Sequence, residues 1–165
     1  LVAAIRIEQR APRPYVAKRA VVLMSELGPS IETMMHPVEA FLKFHNVTPA
    51  GPPFIRFLHI EMLDHLTIEV GFPVTKPMTV DDESLVRGFM PSGEYAVSDH
   101  VGPPESMIDA NRQFQRFAAE QGIVLAGRSH GGKESWSGRF EHLMTDPKDQ
   151  SDSSKWLTEL AYLIA

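Results

Sequence analysis

The sequence predicts an α+β fold in which a strand–helix–strand–strand unit is used twice, with the helices packed on one side of a largely antiparallel sheet. Three observations predict it. Short runs rich in Val, Ile and Ala alternate with two longer stretches whose apolar residues recur at three- and four-residue spacing. Local sequence echoes itself at close to half the chain length: Pro12…Tyr15-Val16-Ala17 against Pro91…Tyr95-Ala96-Val97, and Val47-Thr48-Pro49-Ala50-Gly51 against Ile123-Val124-Leu125-Ala126-Gly127. Between the copies lies a polar connection, Gly71–Ser84, with Pro73, Pro77 and Asp81-Asp82-Glu83. One domain over 1–165 is expected, its modules about 1–80 and 81–165.

The first unit opens with strands at Val2–Arg6 and Tyr15–Leu23, separated by a kink at Ala11–Pro14, because Pro12 and Pro14 cannot donate to a ladder. A helix follows with Ile31, Met34, Met35, Val38, Phe41, Leu42 and His45 at three- and four-residue spacing and Ser30 as N-cap. Pro37 either kinks this helix or sits in its first turn. After the break at Thr48–Pro53 come strands Phe54–Glu61 and Leu66–Val70, joined by a turn around Asp64-His65. The second unit repeats the order with Leu85–Met90, a Pro91-Ser92-Gly93 turn and Tyr95–Val101. Its helix runs from about Pro104 to Gln121, with Gly122 as its stop and Met107, Ala110, Phe114, Phe117 and Ala118 facing the core. A Gly/Ser-rich loop at Gly127–Gly138, a strand at Arg139–Met144 and a strand at Trp156–Ile164 complete it.

Composition narrows the chemistry. The chain has no cysteine, which excludes a disulfide scaffold, a thiolate metal site and a cysteine nucleophile. Its 16 Lys+Arg against 21 Asp+Glu argue against a nucleic-acid face. No apolar run approaches the ~20 residues of a membrane span. A cytoplasmic location, no cofactor and no direct contact with nucleic acid or membrane are expected.

Several motifs fall short of a site. Gly127–Glu134 comes within one residue of a phosphate-binding loop, but Glu134 replaces the hydroxyl that would hold magnesium. His59, Glu61, Asp64 and His65 match no standard metal spacing, so no metal is expected. There is no Gly-x-Ser-x-Gly elbow. Glu141 stands out: a carboxylate within the apolar, strand-like run Phe140–Met144 must be solvated, paired or held for a ligand. Met34, Met35, Met107 and Met144 lie with Phe57, Phe114, Phe117 and Trp136 on elements that converge, and such groups line adaptable pockets for organic cations.

Five stretches together resemble one family. They are Ala50–Phe57, Ile68–Val74, Met90–Pro103, Phe140-Glu141…Asp146-Pro147 and Thr158–Leu163. In this order, across nearly the whole chain, they resemble the GyrI-like small-molecule-binding domain, which also forms the effector-binding half of regulators such as BmrR and Rob. The resemblance implies two modules related by a pseudo-twofold with a ligand groove between them. It also implies that Glu141, five residues before Asp146-Pro147, faces that groove. Phe57, His59, Trp136, Met35, Met107, Leu143 and Tyr162 complete the expected lining. Leu143 stands where the family often has tyrosine, and Gly102-Pro103-Pro104 replaces Gly-Pro-Tyr, so Trp136 or His59 would supply the missing contact.

The reading that follows is a free-standing binder of lipophilic, often cationic aromatic molecules. The alternative is a cofactor-free hydrolase of cyclopropane-containing electrophiles, in which Glu141 is catalytic and activates water while His59, His100 or Tyr95 donates a proton.

Overall fold

The computed structural model describes residues 3–61 and 65–165. Its elements in chain order are β1 (Arg6–Arg10), β2 (Arg13–Leu23), α1 (Leu27–Phe44), β3 (Phe54–Glu61), β4 (His65–Pro73), β5 (Val86–Met90) and β6 (Gly93–Val101). These are followed by α2 (Met107–Glu120), β7 (Gly127–His130), β8 (Lys133–Trp136), β9 (Arg139–Leu143) and β10 (Leu157–Leu163). The fold is α+β, as expected. All strand pairings are antiparallel, in the order β1-β6-β10-β9-β3-β4-β2-β5, with β7–β8 attached alongside β3.

Read from either end, this order is the same list of roles. β1 and β5 open the two units, β2 and β6 follow them, and the units meet at the β9–β3 seam. Each opening strand pairs with the other unit. One register runs through both kinks: Arg6 faces Val97, Arg10 faces Gly93, Arg13 faces Met90 and Ala17 faces Val86. The ends of the strand order are therefore two long bent strands paired with each other, and the sheet curls back on itself.

Alternation along the strands separates two faces. One carries the helices. α1 covers Ile55, Phe57, Leu66, Ile68 and Val70 through Met34, while Ala110 and Phe114 of α2 cover Ala96, Leu160 and Tyr162. The opposite face closes on Tyr15, Phe54, Met90, Tyr95 and Phe140. There Glu69, 1% exposed, accepts hydrogen bonds from Tyr15 and Arg19.

Several boundaries differ from expectation. The first strand lies at Arg6–Arg10, not Val2–Arg6, and Val2 is outside the described residues. Its charged residues are held by pairing with β6 and by an ion ladder in which Arg10 Nη2 reaches Glu8 at 2.8 Å and Glu159 at 2.9 Å. Helix α1 starts at Leu27, so Ser30 is internal; Leu27 and Ile31 pack on the β3–β4 cluster and extend the helix towards its N-terminus. Pro37 lies inside the helix. The Asp64 part of the expected turn falls outside the described residues, and β4 runs on through Gly71 to Pro73. The expected loop at Gly127–Gly138 contains the hairpin β7–β8. Its two-residue turn, Gly131-Gly132, takes φ of 57° and 80°, which two glycines supply without strain.

Gly71 faces Ala17 across β2–β4. A Cβ there would stand 2.0 Å from the Val16 carbonyl oxygen and 2.6 Å from Ala17 Cα, both backbone atoms. We expect Gly71→Ala to lower unfolding stability by about 1–3 kcal/mol, the usual scale of overpacking. The urea midpoint reads this directly, and an unchanged midpoint contradicts the packing described.

Candidate functional site

Strand β9 lies at the seam between the two units, so its helix-side residues have α1-covered strands on one flank and α2-covered strands on the other. Those residues are Arg139, Glu141 and Leu143. Glu141 stands between Ile55 of β3 and Leu160 of β10, its direct cross-strand neighbours, and is 6% exposed. Two apolar flanks give a carboxylate nothing to bond, so its partner comes from above the sheet. Asn111 of α2 donates from Nδ2 to Glu141 Oε2 at 3.0 Å, and from the same nitrogen to the Met107 carbonyl at 2.9 Å. Tyr162 donates its hydroxyl to Asn111 Oδ1 at 2.6 Å and accepts from Gln115 Nε2 at 3.1 Å.

Burial pushes the Glu141 carboxyl above the ordinary carboxylate range, and the Asn111 bond and the Arg139 charge pull only partly against it. Burial likewise pushes the Tyr162 hydroxyl up to about 12. The network is thus one of protonated or hydrogen-bonding groups held in a low-dielectric wall.

Next along β9, Arg139 faces Tyr162 and is 7% exposed. Its guanidinium carbon lies 4.9 Å from the Phe57 ring centre, 5.1 Å from Trp136 and 5.2 Å from Tyr162. Such distances are those of cation–π contact. Trp136 is brought there because β3 changes partner from β9 to β8 at a bulge between Phe57 and His59. Glu134 anchors the ring by accepting from Trp136 Nε1 at 3.1 Å.

The structure thus brings Glu141, Phe57, Trp136 and Tyr162 together from the expected set. Met107 packs on the α2 side, with Met35 and Leu143 on the α1 side. His59 is exposed, and its Nδ1 is 3.0 Å from Ser135 Oγ; Glu61 pairs with Lys133. His100 is buried against Ser106 before α2, and Tyr95 bonds the Pro91 carbonyl on the opposite sheet face. Among the described residues, neither the His59 imidazole nor the Tyr95 hydroxyl hydrogen-bonds into the Glu141 network. Asn111, Gln115, Glu134 and Arg139 were not anticipated. Asn111 was legible in principle, four residues after Met107 and three before Phe114, on a stripe read only for apolar residues.

Open cavities lie elsewhere. One of about 380 Å³ is lined by Arg10, Arg13, Pro52, His142 and Met144, and another of about 330 Å³ by Val22, Pro29, Thr33 and Met34.

Solved structures share this fold. The C-terminal domain of EcmrR matches with a TM-score of 0.73 at 15% identity, covering 98% of this chain and 97% of that one. EcmrR in its DNA complex matches with a TM-score of 0.77 at 14% identity; 98% of this chain is covered but only 57% of EcmrR, so this chain spans little more than half of that protein. SAV2435 bound to tetraphenylphosphonium matches with a TM-score of 0.65 at 10% identity, over 99% of this chain and 94% of that one. The GyrI-like resemblance therefore holds at the level of fold. No family model and no curated protein matches the sequence.

A carboxyl whose proton is held more tightly in the folded state has a definite linkage signature. The folded protein binds more protons than the unfolded one above the ordinary value of 4.5, so stability falls as pH rises from there through the raised folded value. Glu141→Gln keeps an acceptor for Asn111 and removes the titration. The stability difference between variant and parent, from urea unfolding across acid to neutral pH, should shift in favour of the variant as pH rises. A pH-independent difference contradicts the assignment.

Proposed function

We propose that this chain binds lipophilic aromatic small molecules, many of them cationic, in the seam between α1 and α2. The observation that carries the reading is the convergence of one buried carboxyl, Glu141, with three rings that already hold a planar cation, the Arg139 guanidinium. A ring set that accommodates a guanidinium has the spacing and polarity for an aromatic cation, and dispersion plus one carboxylate discriminates weakly among flat ligands. A ligand seated there is accommodated by repacking of the side chains between the helices. Met35 and Met107, on the two helices, are suited to that repacking. The likeness in fold to SAV2435 bound to tetraphenylphosphonium supports the same reading.

Charge compensation sets a pH dependence. Burial favours the protonated Glu141, whereas a bound cation favours the carboxylate, so cation affinity rises with pH until the carboxyl is ionised without ligand.

A second reading, hydrolysis of a strained-ring electrophile, draws on the same carboxyl, since burial moves it towards the range of a general base. Water would add to a ring carbon while Glu141 takes its proton. The breaking C–C bond would leave its electron pair on the adjoining carbon, which is then protonated. The hydroxyl in the Glu141 network is that of Tyr162, through Asn111. A hydrolase from Listeria innocua shares the fold with a TM-score of 0.63 at 12% identity, over 98% of this chain and 91% of that one.

Titration calorimetry with tetraphenylphosphonium and with neutral triphenylphosphine oxide separates electrostatics from shape. Glu141→Gln should weaken the phosphonium by about tenfold or more and leave the neutral compound within about twofold. Equal losses remove the electrostatic role. Incubation with a cyclopropane-containing alkylator, followed by mass spectrometry, tests turnover; no hydrated product above buffer removes the enzyme reading.

A further inference from the structure

Arg139 is in an unusual position for a buried arginine. Among the described residues its guanidinium makes no hydrogen bond: the nearest carboxylate oxygen, Glu134 Oε1, is 3.9 Å from Nη1, and Nε is enclosed without a partner. The same Glu134 oxygen accepts a hydrogen bond from Trp136 Nε1. Three rings stabilise the positive charge, but none of them offers a lone-pair acceptor to the guanidinium N–H groups. A buried guanidinium whose enclosed Nε has no acceptor is incomplete. On the same strand face, two residues away, Glu141 is an acid bonded through only one of its oxygens. The seam therefore presents an unfilled donor, Arg139 Nε, beside a partly filled acceptor, framed by aromatic rings.

Resting on the binding reading above, we infer that the ligand class is amphoteric: an aromatic frame that carries an oxyanion as well as a cationic or N–H donor group. Arg139 takes the carboxylate, sulfonate or phosphate of the ligand, and Glu141 takes its positive or donating end. Arg139 is then the specificity-determining residue. A ligand of this class leaves the guanidinium among its rings and completes its hydrogen bonds, whereas a plain cation must either displace Arg139 or bind beside an unscreened like charge.

The two sources of affinity separate with one pair of dyes. Rhodamine B near neutral pH carries a cationic xanthene and a free carboxylate, and its ethyl ester keeps the xanthene without the carboxylate. By fluorescence anisotropy the unmodified protein should bind rhodamine B at least about tenfold more tightly than the ester, the lower range for a charge-assisted bond to a buried group. Arg139→Gln should bring the two affinities together, Arg139→Lys should retain part of the preference, and Glu141→Gln should weaken both dyes while keeping the preference. Circular-dichroism melts establish that each variant is folded, and the comparison on the unmodified protein requires no variant. Equal affinities, a preference for the ester, or a preference that survives Arg139→Gln overturns the role of Arg139 while leaving the binding seam intact. Failure of both dyes to bind overturns the seam reading and this inference with it.

Discussion

The cost of placing charge inside the molecule is the constraint on which the site depends. Glu141 and Arg139 share one face of a central strand and are almost wholly enclosed. An unpaired buried charge is destabilising by several kcal/mol, and the surroundings of both residues are organised to reduce that cost. Asn111 reaches from α2 to the carboxyl, Tyr162 fixes the Asn111 amide from below, and Phe57, Trp136 and Tyr162 enclose the guanidinium. The compensation is incomplete on both sides. Burial still holds the carboxyl above its ordinary range, and among the described residues the enclosed Arg139 Nε still has no acceptor. In the reading proposed here, incomplete compensation of both groups on one strand face is what marks the place for a ligand.

The exchange of opening strands accounts for where this strain sits. Because β1 pairs with β6 and β5 with β2, the two units are tied together at the ends of the strand order, and the β9–β3 contact is left as the junction between the helix-covered halves. Each helix covers its own unit. The helix-side residues of β9 fall under neither helix's main contact cluster, with Leu143 packing towards α1 and Tyr162 across the strand packing under α2. Polar residues are tolerated there because α2 supplies a partner and because β8, turning away from β9, supplies a tryptophan.

Much of this arrangement was legible in the residues. The doubled unit followed from the echoes around Tyr15 and Tyr95, and α2 followed from Pro104, its apolar period and Gly122, whose φ of 73° ends the helix. Glu141 was visible as a charge within an apolar run. Arg139 was not, because an arginine at the first position of a strand reads as a solvated end, and only the pairing of β10 with β9 places Tyr162 across from it. The strand Arg6–Arg10 was shifted for a related reason: its residues are charged, and what fixes them is a partner some ninety residues away. The β7–β8 hairpin carried a readable signal in Gly131-Gly132, obscured by its resemblance to a phosphate-binding loop. Long-range pairing, not local propensity, decided the placement of Arg139 and of the strand Arg6–Arg10.

The central claim is that Glu141 is a buried carboxyl whose charge is reserved for a ligand. The carbon-13 shift of its side-chain carboxyl, followed through a pH titration with and without saturating tetraphenylphosphonium, tests it most directly. The account predicts a midpoint above the ordinary 4.5 in the free protein and a lower midpoint when the cation is bound. A midpoint at the ordinary value without ligand, or one the cation does not move, would contradict it.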